Sequence, residues 1–445
     1  MDGPPSSVNI STRQGKLAEL ARIEPKLELM TVAHHVDMAW LREAYRRTRK
    51  DGAAGVDGVT AAQYEAGLDA NLSGLLDRFK SGRYRAPPVR RVHIPKPGKA
   101  GKTRPLGIPT LEDKVLQRAV LMALEPIFEQ DFLDCSYGFR PGRGPHMALE
   151  ALWHGLMGLG GGWVIDLDIR SFFDEVDRGW LRDFLGRRVR DRTIRRAVGK
   201  WLNAGVMEDG AVRRSDRGTP QGGVISPLLS NLHLHHVLDL WFERDVKPCL
   251  RGRAFAVRFA DDAVLAFERE EDARRVFAVL GKRFAKYGLR LHPEKTRLVD
   301  FRSPSRRKPG GTQRGRSFAL LGFTHHWGRS REGRWVVKRK TAKDRLTRAM
   351  RAVGDWCRRN RHQPVAVQWA ALRRKLLGHY AYYGITGNYR ALGRFHWWVR
   401  ATWYKWLCRR SPRARMTWDR FLRLCRRCPL PRPRIVQSIY RAATP

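Results

Sequence analysis

The sequence predicts an α+β fold, and three observations support this prediction. Apolar and polar residues alternate over 163–169 and again over 255–267, which is the period of half-buried strands. Helical spacing precedes these strands over 18–30, 36–46 and 61–80. Beyond about residue 331 the chain becomes basic and aromatic, again with helical spacing. We therefore expect strands in the middle of the chain and helices towards both ends.

The charge of the chain predicts a polyanionic partner. Its 445 residues are enough for two or three subdomains around one sizeable core. They include 87 Lys and Arg against 43 Asp and Glu, a formal net charge of +44. Such a chain repels itself, and nucleic acid is the leading candidate partner because each neutralised phosphate releases counterions.

Other classes of protein fit the sequence less well. No apolar run approaches the roughly 20 residues that cross a bilayer, and the start of the chain, MDGPPSSVNI, does not have the pattern of a signal peptide. We therefore expect a cytoplasmic protein without a membrane partner. Of six scattered cysteines only Cys425 and Cys428 have CxxC spacing, which favours reduced thiols over a zinc site.

The first hundred residues alternate helical and turn signals. Pro25 interrupts the helical stretch 18–30, and a Gly/Asp turn cluster, DGAAGVDGVT, covers 51–60 ahead of the helix predicted over 61–80. Residues 84–94 are expected to be extended, with a Lys/Gly/Pro loop after them.

The strand patterns in the middle of the chain bring out three acids. In the first strand the apolar residues face one way, and Asp166 and Asp168 face the other. In the second pattern the alternation runs into Asp261 and Asp262 and then resumes, which places both acids at a hairpin turn. Adjacent carboxylates repel each other, and Mg²⁺ would offset that cost. An Asp-Asp turn alone is usually only solvated or capping.

Eight short motifs give these acids a context. In chain order they are AGVDGVT (54–60), RRVHIPKPGKAGKTRPLGIPTLEDKVLQRAV (90–120), SYGFRPGRGPH (136–146), VIDLDIRSFFDEVD (164–177), GTPQGGVISPLLSNLHLH (218–235), RFADDAVLAF (258–267), LRLHPEKT (289–296) and LLGF (320–323). Each is weak alone, but in this order and spacing the chain resembles the group II intron-encoded reverse transcriptases and maturases. One departure is Phe259, where the family usually has Tyr.

The resemblance implies a right-hand polymerase with fingers and an antiparallel-sheet palm, followed by a helical thumb. The implied division is an N-terminal extension and start of the fingers over 1–80, fingers and palm over 81–325, and a basic thumb/maturase domain over 326–445. A boundary loop rich in Gly, Ser, Pro and Arg is expected at 302–317.

The resemblance also implies an active site. Asp168, Asp261 and Asp262 would be the catalytic residues and, together with Ile169, the ligands of two Mg²⁺ ions, with Mn²⁺ as a substitute. The nucleotide would be bound by Lys96, Arg104, Phe173, Gln221 and Lys295. Phe173, rather than Phe172, would exclude a 2′-hydroxyl, although either could be core. Lys295 could be an ordinary strand-end lysine.

The basic C-terminal region is expected to bind RNA. Residues 331–445 contain 30 Lys and Arg against 4 Asp and Glu, which is +26 of the total charge. A stripe of Phe395, Val399, Trp403 and Trp406 is interpreted first as core, and cations around it as RNA contacts. The RNA-binding candidates are Arg140, Arg143, Arg373, Arg374, Lys375, Asn388, Arg400, Lys405, Arg409 and Arg410.

The function predicted is that of an RNA-directed DNA polymerase of group II intron type, which copies intron RNA and assists its folding or splicing. Its partners would be intron RNA, an RNA template with a DNA primer or target, and dNTPs, and homodimerisation is left open. No zinc-bound endonuclease domain is expected. The alternatives are a domesticated reverse transcriptase in defence or repair and an RNA-binding splicing cofactor without polymerase activity.

Overall fold

The structure, a computed structural model, describes residues 7–95, 101, 103–208, 211–213, 218, 222–306, 316–411 and 416–439. The chain divides into two compact units, Met1–Ala148 with Ile165–Leu298, and Leu149–Val164 with Val299–Pro445. Helices and strands both contribute, which confirms the α+β class. In the described ranges, no helix is long and apolar enough to cross a membrane. The predicted three-part division at 80/81 and 325/326 stays a prediction.

Four helices open the first unit: α1 Ser7–Ile23, α2 Met38–Arg47, α3 Ala61–Glu65 and α4 Leu68–Lys80. The prediction of a helix over 36–46 is confirmed by α2. The prediction over 18–30 is wrong beyond Ile23, because Pro25 disfavours helical backbone at the residue before it. The helix predicted over 61–80 is interrupted before Gly67, which is the N-cap of α4 and has a low helix propensity.

A hairpin and two long helices follow: β1 Val89–Pro95, β2 Thr103–Ile108, α5 Leu111–Asp131 and α6 Pro145–Leu159. Strands β1 and β2 pair antiparallel. Helix α5 is the centre of the first unit's core, since Val115 and Ala119 are fully buried and α1 and α2 pack against it. The indole of Trp40 on α2 donates a hydrogen bond to the carbonyl of Ala119 at 2.9 Å.

The middle of the chain alternates short elements: β3 Trp163–Leu167, α7 Phe172–Glu175, α8 Arg178–Gly186, α9 Arg192–Asn203, β4 Val206–Glu208 and β5 Ala211–Arg213. Strand β4 pairs parallel with β1 and antiparallel with β5. The first sheet therefore has the order β2–β1–β4–β5.

Helix α10, Ser226–Leu234, continues into two π-helical segments, His235–Asp239 and Trp241–Val246. π-Helical segments are rare in proteins, and those that occur are often found at functional sites. After it come β6 Ala254–Phe259, β7 Asp262–Phe267, α11 Glu270–Lys286 and β8 Arg297–Asp300. The second sheet has the order β6–β7–β3–β8, which sets the hairpin β6–β7 beside β3.

The second unit contains most of α6 and combines it with a small antiparallel sheet and further helices. These elements are β9 Phe318–Leu320, β10 Phe323–Arg329, β11 Trp335–Thr341, α12 Lys343–Arg359, α13 Val365–Tyr383, α14 Tyr389–Cys408 and α15 Trp418–Arg427. The predicted stripe on α14 is confirmed as core, since Phe395, Val399 and Trp403 are buried and Trp406 is half-buried. Part of the predicted boundary loop, 307–315, lies outside the described residues.

Candidate active site

Asp168 directly follows strand β3, and its backbone is fixed on one side. The predicted alternation is confirmed here, because Ile169 is buried and Asp168 is partly exposed. The carbonyl of Asp168 accepts hydrogen bonds from the amide of His292 at 2.8 Å and from the Thr296 hydroxyl at 3.1 Å. The amide of Asp168 also donates to that hydroxyl at 3.3 Å. The motif LRLHPEKT therefore holds the end of the strand.

Lys295, in the same motif, pairs with the Asp168 side chain. Its Nζ lies 3.0 and 2.9 Å from the two carboxylate oxygens. The structure thus brings this predicted residue to the site, while its role stays a prediction. Sequence reasoning missed Thr296, although its position next to Lys295 in the motif was a usable signal.

Asp261 and Asp262 lie at the tip of the hairpin β6–β7, as the alternation predicts. Phe259 pairs with Asp262, so Ala260 and Asp261 form a two-residue turn. Ala260 has a φ of 57°, in the left-handed region. That conformation costs about 1–2 kcal/mol in a residue with a Cβ. The surrounding structure must therefore hold the turn in place.

Gly138, in the motif SYGFRPGRGPH, packs directly against this turn. A Cβ atom on Gly138 would lie 2.3 Å from the amide nitrogen of Ala260. The residues before it run beside β6, because the Tyr137 amide donates to the Arg258 carbonyl at 2.8 Å and the Arg258 amide to the Cys135 carbonyl at 2.7 Å. The glycine is thus a contact residue of the turn, a role that the motif alone did not reveal.

The Asp261 carboxyl is half-buried, and groups of both charges act on it. Burial raises its pKa and the Asp168 carboxylate adds to the rise, whereas a backbone hydrogen bond and the cations Arg104 and Arg258 lower it. Asp168 and Asp261 are therefore close enough to repel each other. Arg104, on the exposed part of β2, is close enough to act on Asp261, so the structure brings this predicted nucleotide-binding residue to the site.

The residues present fit a divalent cation. Among the described residues no group of three or more His, Cys, Asp and Glu side chains converges closely enough to hold a metal ion. Asp168 and Asp261 nevertheless bring two carboxylates within electrostatic reach of each other in a half-buried place, where Lys295 is the partner of Asp168. Oxygen donors of this kind, completed by phosphate oxygens of a substrate, are the environment that Mg²⁺ prefers.

The two adjacent phenylalanines differ in their surroundings. Phe172 is buried and Phe173 half-buried, with ring centroids 5.4 Å apart. Gly218 packs against the backbone that follows Phe172, since a Cβ on it would be 2.8 Å from the carbonyl oxygens of Phe173 and Asp174. Gly222 packs as closely on β2, where a Cβ would be 2.2 Å from the Gly107 carbonyl. The predicted nucleotide-binding residues Lys96 and Gln221 lie outside the described residues.

Two predicted RNA contacts are corrected by the structure. Arg140 is buried and its guanidinium binds Glu129 and the carbonyl of Leu133. Asn388 is buried as well, and its amide bonds to Thr341. Because both side chains are buried, neither is available to RNA. The prediction was wrong because a motif match gives no information on exposure. Both have structural roles.

The other predicted RNA contacts are more accessible, although several already have partners. Arg143 pairs with the carboxylate of Asp134. Arg373, Arg374 and Lys375 are exposed on α13, Lys405 is exposed on α14, and Arg409 is exposed directly after that helix. Arg400 lies over the rings of Trp418 and Phe421, and Arg410 donates to the carbonyls of His362 and Gln363.

Sequence reasoning missed one exposed aromatic residue on α14. The Trp397 side chain is 68% exposed, the highest value among the exposed large hydrophobic residues of the described chain. Arg394 and Arg390 precede it by three and seven residues, so all three face the same side of the helix. In the described part of the chain neither arginine has an ion-pair partner. The stripe pattern singled out the buried aromatics and so passed over this one.

Comparison with known proteins places the site in a family. The model of the family described as reverse transcriptase (RNA-dependent DNA polymerase) matches residues 94–325, just over half of the chain. Protein YkfC of Escherichia coli (strain K12) is 43% identical over 288 residues, which cover 58% of this chain and 75% of YkfC.

Two further relatives carry intron names. Group II intron-encoded protein LtrA of Lactococcus lactis subsp. cremoris is 32% identical over 250 residues, 54% of this chain and 41% of LtrA. Nuclear intron maturase 1, mitochondrial, of Arabidopsis thaliana is 35% identical over 86 residues, 19% of this chain and 12% of that protein. The match thus spans three quarters of YkfC but less than half of LtrA.

A carboxylate pair between a strand end and a hairpin turn, inside a sequence that this family model matches, defines the class: the chain belongs to the reverse transcriptase family. Within that family it is of the group II intron-encoded reverse transcriptase and maturase type, which confirms the resemblance carried by the motifs.

Proposed function

We propose that this protein is an RNA-directed DNA polymerase that copies intron RNA into DNA by two-metal nucleotidyl transfer. The observation that carries the proposal is the pairing of Asp168 with Asp261. Asp168 follows β3, Asp261 lies in the β6–β7 turn, and the Asp168 carboxylate raises the pKa of Asp261. In this proposal β3 and the hairpin belong to the palm, β1 and β2 to the fingers, and α12–α14 to the thumb.

The metal site is proposed on the three acids and one backbone carbonyl. Asp168, Asp261 and Asp262 would supply carboxylate oxygens, and Ile169, whose side chain has no ligand atom, its carbonyl. Bound Mg²⁺ would lower the pKa of a primer 3′-hydroxyl and stabilise the charge on the leaving pyrophosphate. The protein's own contribution is to fix these oxygens through the hydrogen bonds on the Asp168 backbone and the packing of Gly138 on the turn.

Cations would hold the phosphates of the nucleotide, and the Phe173 ring would exclude a sugar with a 2′-hydroxyl. Arg104 acts on Asp261 across the site, and a guanidinium binds phosphate oxygens through paired donors. Lys96 and Gln221 are proposed as further nucleotide contacts from the family motifs. Lys295 balances the charge of Asp168 and is proposed to exchange this partner for a phosphate when substrate binds.

Primer extension tests the polymerase proposal. Purified full-length protein is given an RNA template, a DNA primer, dNTPs and Mg²⁺, and Asp261→Asn is compared with Asp166→Asn. Asp166 is a matched control because it lies on the same face of β3 but pairs with Arg297 at 3.3 Å. We expect Asp261→Asn to lose activity on the order of a thousandfold, as when a charge that stabilises the transition state is removed. Asp166→Asn should retain most of it.

Two outcomes would contradict the proposal. Extension by Asp261→Asn at the wild-type rate would remove this carboxylate from the chemistry. No extension by the wild type, with tight RNA binding preserved, would favour an RNA-binding splicing cofactor instead.

We further propose that the second unit binds intron RNA and assists its folding. The support is the excess of basic residues after 331, the exposed cations Arg373, Arg374 and Lys375 on α13, and exposed Trp397 between arginines on α14. Arginines supply salt-dependent affinity for phosphates, and an exposed indole can stack on an unpaired base. One relative, matched over 86 residues, is named a nuclear intron maturase.

A further inference from the structure

The buried guanidinium of Arg258 has every donor satisfied. Arg258 is on β6, three residues before Asp261, and both Arg258 and Asp239 have side chains that are 1% exposed. Its Nε and Nη2 bind the two oxygens of Asp239 at 2.8 and 2.6 Å. Nη1 donates to the Asn231 side chain and to the Ala260 carbonyl, both at 3.0 Å, and Nη2 to the Ser136 hydroxyl at 2.8 Å. The five N–H donors of an arginine are thereby used.

These hydrogen bonds converge on the turn that carries Asp261. The Ala260 carbonyl belongs to the peptide group between Ala260 and Asp261, so Arg258 fixes the plane of that peptide. Asn231 also donates to the carbonyl of Gly138 at 2.7 Å, and Gly138 is the residue that packs on the Ala260 amide. The left-handed turn is thus held from two sides by one connected network.

Stability alone is a weak reason for such a network. A buried ion pair costs desolvation, and apolar residues of similar volume often replace one without loss. A fixed geometry gives a better reason, because groups that orient metal ligands from behind affect metal affinity and activity strongly.

We propose that Arg258, Asp239 and Asn231 form a positioning network that fixes the Asp261 carboxylate for metal binding, an inference that rests on the proposed polymerase function. Arg258 touches no reacting atom in this role. It acts through the backbone of the turn. The network therefore determines how well the site binds a divalent ion and how fast it reacts, and it leaves the affinity for dNTP and RNA to other residues.

The test uses Arg258→Lys and Asn231→Ser in the full-length protein. Lysine keeps the charge but loses the forked geometry, and serine removes the link to Gly138. Arg188→Lys is the matched control, since Arg188 is also buried, pairs with Asp131 at 3.0 Å and donates to the carbonyls of Glu24, Leu27 and Ala21 in the same unit. Within the described residues none of its hydrogen bonds reaches the turn, so Arg188→Lys should show the cost of disturbing a buried arginine alone.

Three quantities are measured for each variant: thermal unfolding, kcat and KM for dNTP in primer extension, and the Mg²⁺ concentration at half-maximal rate. Mn²⁺ binding without substrates is measured by electron paramagnetic resonance. For Arg258→Lys and Asn231→Ser we expect the Mg²⁺ requirement and the Mn²⁺ dissociation constant to rise about tenfold. We expect kcat to fall about a hundredfold, with KM for dNTP nearly unchanged. Arg188→Lys should lose thermal stability only.

The outcomes separate this inference from the proposed function. If Arg258→Lys and Asn231→Ser lose stability as Arg188→Lys does while Mn²⁺ affinity and Mg²⁺ requirement stay at wild-type values, the network is only structural and the inference is overturned. A wild type that binds Mn²⁺ but extends no primer would overturn the polymerase proposal, whereas weaker Mn²⁺ binding by the variants would still support positioning. Absence of Mn²⁺ binding by the wild type would overturn both.

Discussion

At the scale of single residues, Phe172 and Phe173 should respond to substitution in opposite ways. Phe172 is in the core, so Phe172→Ala should lower the free energy of unfolding by about 3–5 kcal/mol. Phe173 is half-buried and adjoins Gly218 near the proposed nucleotide site. We expect Phe173→Ala to fold normally and to incorporate ribonucleotides on the order of tenfold to a hundredfold more readily relative to dNTPs, since a pocket wall that rejects a hydroxyl is removed.

The measurement is primer extension with each dNTP in competition with its ribonucleotide, beside urea unfolding of both variants. Unaltered sugar selection in Phe173→Ala would assign the ring to packing alone.

Residue identities at the site were predictable where a local pattern encodes them. Alternation along β3 and β6–β7 predicted where Asp168, Asp261 and Asp262 lie, and the family resemblance then singled them out as the site. The packing behind the turn was not predictable, because Gly138 reaches Ala260 across a long stretch of sequence, whereas the position of Thr296 beside Lys295 was a signal that could have been used. Arg140 and Asn388 failed as RNA contacts for a related reason, since burial depends on neighbours that the motif does not contain.

At the scale of elements, the segment around Gly138 should be sensitive to a single methyl group. A Cβ at Gly138 would meet the Ala260 backbone at 2.3 Å, whereas a Cβ at Gly144 in the same segment would meet nothing within 4 Å. Gly138→Ala should therefore displace the β6–β7 turn and reduce kcat about a hundredfold. Gly144→Ala should leave activity near wild type. Equal activity of the two variants in primer extension would show that the turn tolerates displacement.

Helix α14 carries a second prediction at this scale, on RNA affinity. Trp397→Ala should weaken binding to single-stranded RNA by about 1–3 kcal/mol through the loss of one stacked base. The dependence on salt should not change, because no charge is lost. Arg373→Gln combined with Arg374→Gln should instead flatten the salt dependence. Filter binding at several salt concentrations measures both effects.

The control for Trp397 is Phe277→Ala. Phe277 is 37% exposed on α11 of the first unit, and nearby Arg274 is neutralised by Glu270. An equal loss of affinity in Phe277→Ala and Trp397→Ala would assign the effect to general disturbance of the protein.

Elements were predicted well where a single period governs them and less well where a residue breaks it. The α14 stripe became core and the strand pairs formed as expected. The prediction of one helix over 61–80 did not take into account the low helix propensity of Gly67, where the structure has a break. The π-helical segments after α10 could not be predicted from the sequence, because π-helical hydrogen bonding depends on packing around the helix more than on residue type.

At the scale of the whole molecule, buried histidines should make the protein unstable in mild acid. Burial lowers the pKa of His233 to about 4, of His235 to about 3, of His325 to about 3 and of His379 to about 4. Unfolding exposes them, and their pKa returns to about 6.5. As the pH falls below 6.5 the unfolded chain gains protons that the folded one refuses, so the free energy of unfolding decreases by up to about 1.4 kcal/mol per pH unit for each histidine.

Urea unfolding between pH 7.5 and 5 measures this decrease. His325→Phe should remove the contribution of one histidine from the slope, since its ring stacks on Phe318 at 4.9 Å and neither ring nitrogen has a hydrogen-bond partner among the described residues. Exposed His362→Gln is the control and should keep the wild-type slope. An unchanged slope in His325→Phe would mean that His325 is already protonated or accessible in the folded state.

The π-helical segment also bears on how the length of this chain can change in evolution. Asn231 and Asp239 are eight residues apart, and at ~100° per residue an α-helix would separate them by ~80° around its axis. A π-helical turn contains more residues, so each residue rotates the chain by a smaller angle about the helix axis. The smaller rotation brings both side chains to Arg258. In an α-helix a spacing of seven residues would leave only ~20° between them. The segment therefore corresponds to two α-helical turns with one inserted residue, and a relative with one residue fewer here can keep the same contacts to its arginine.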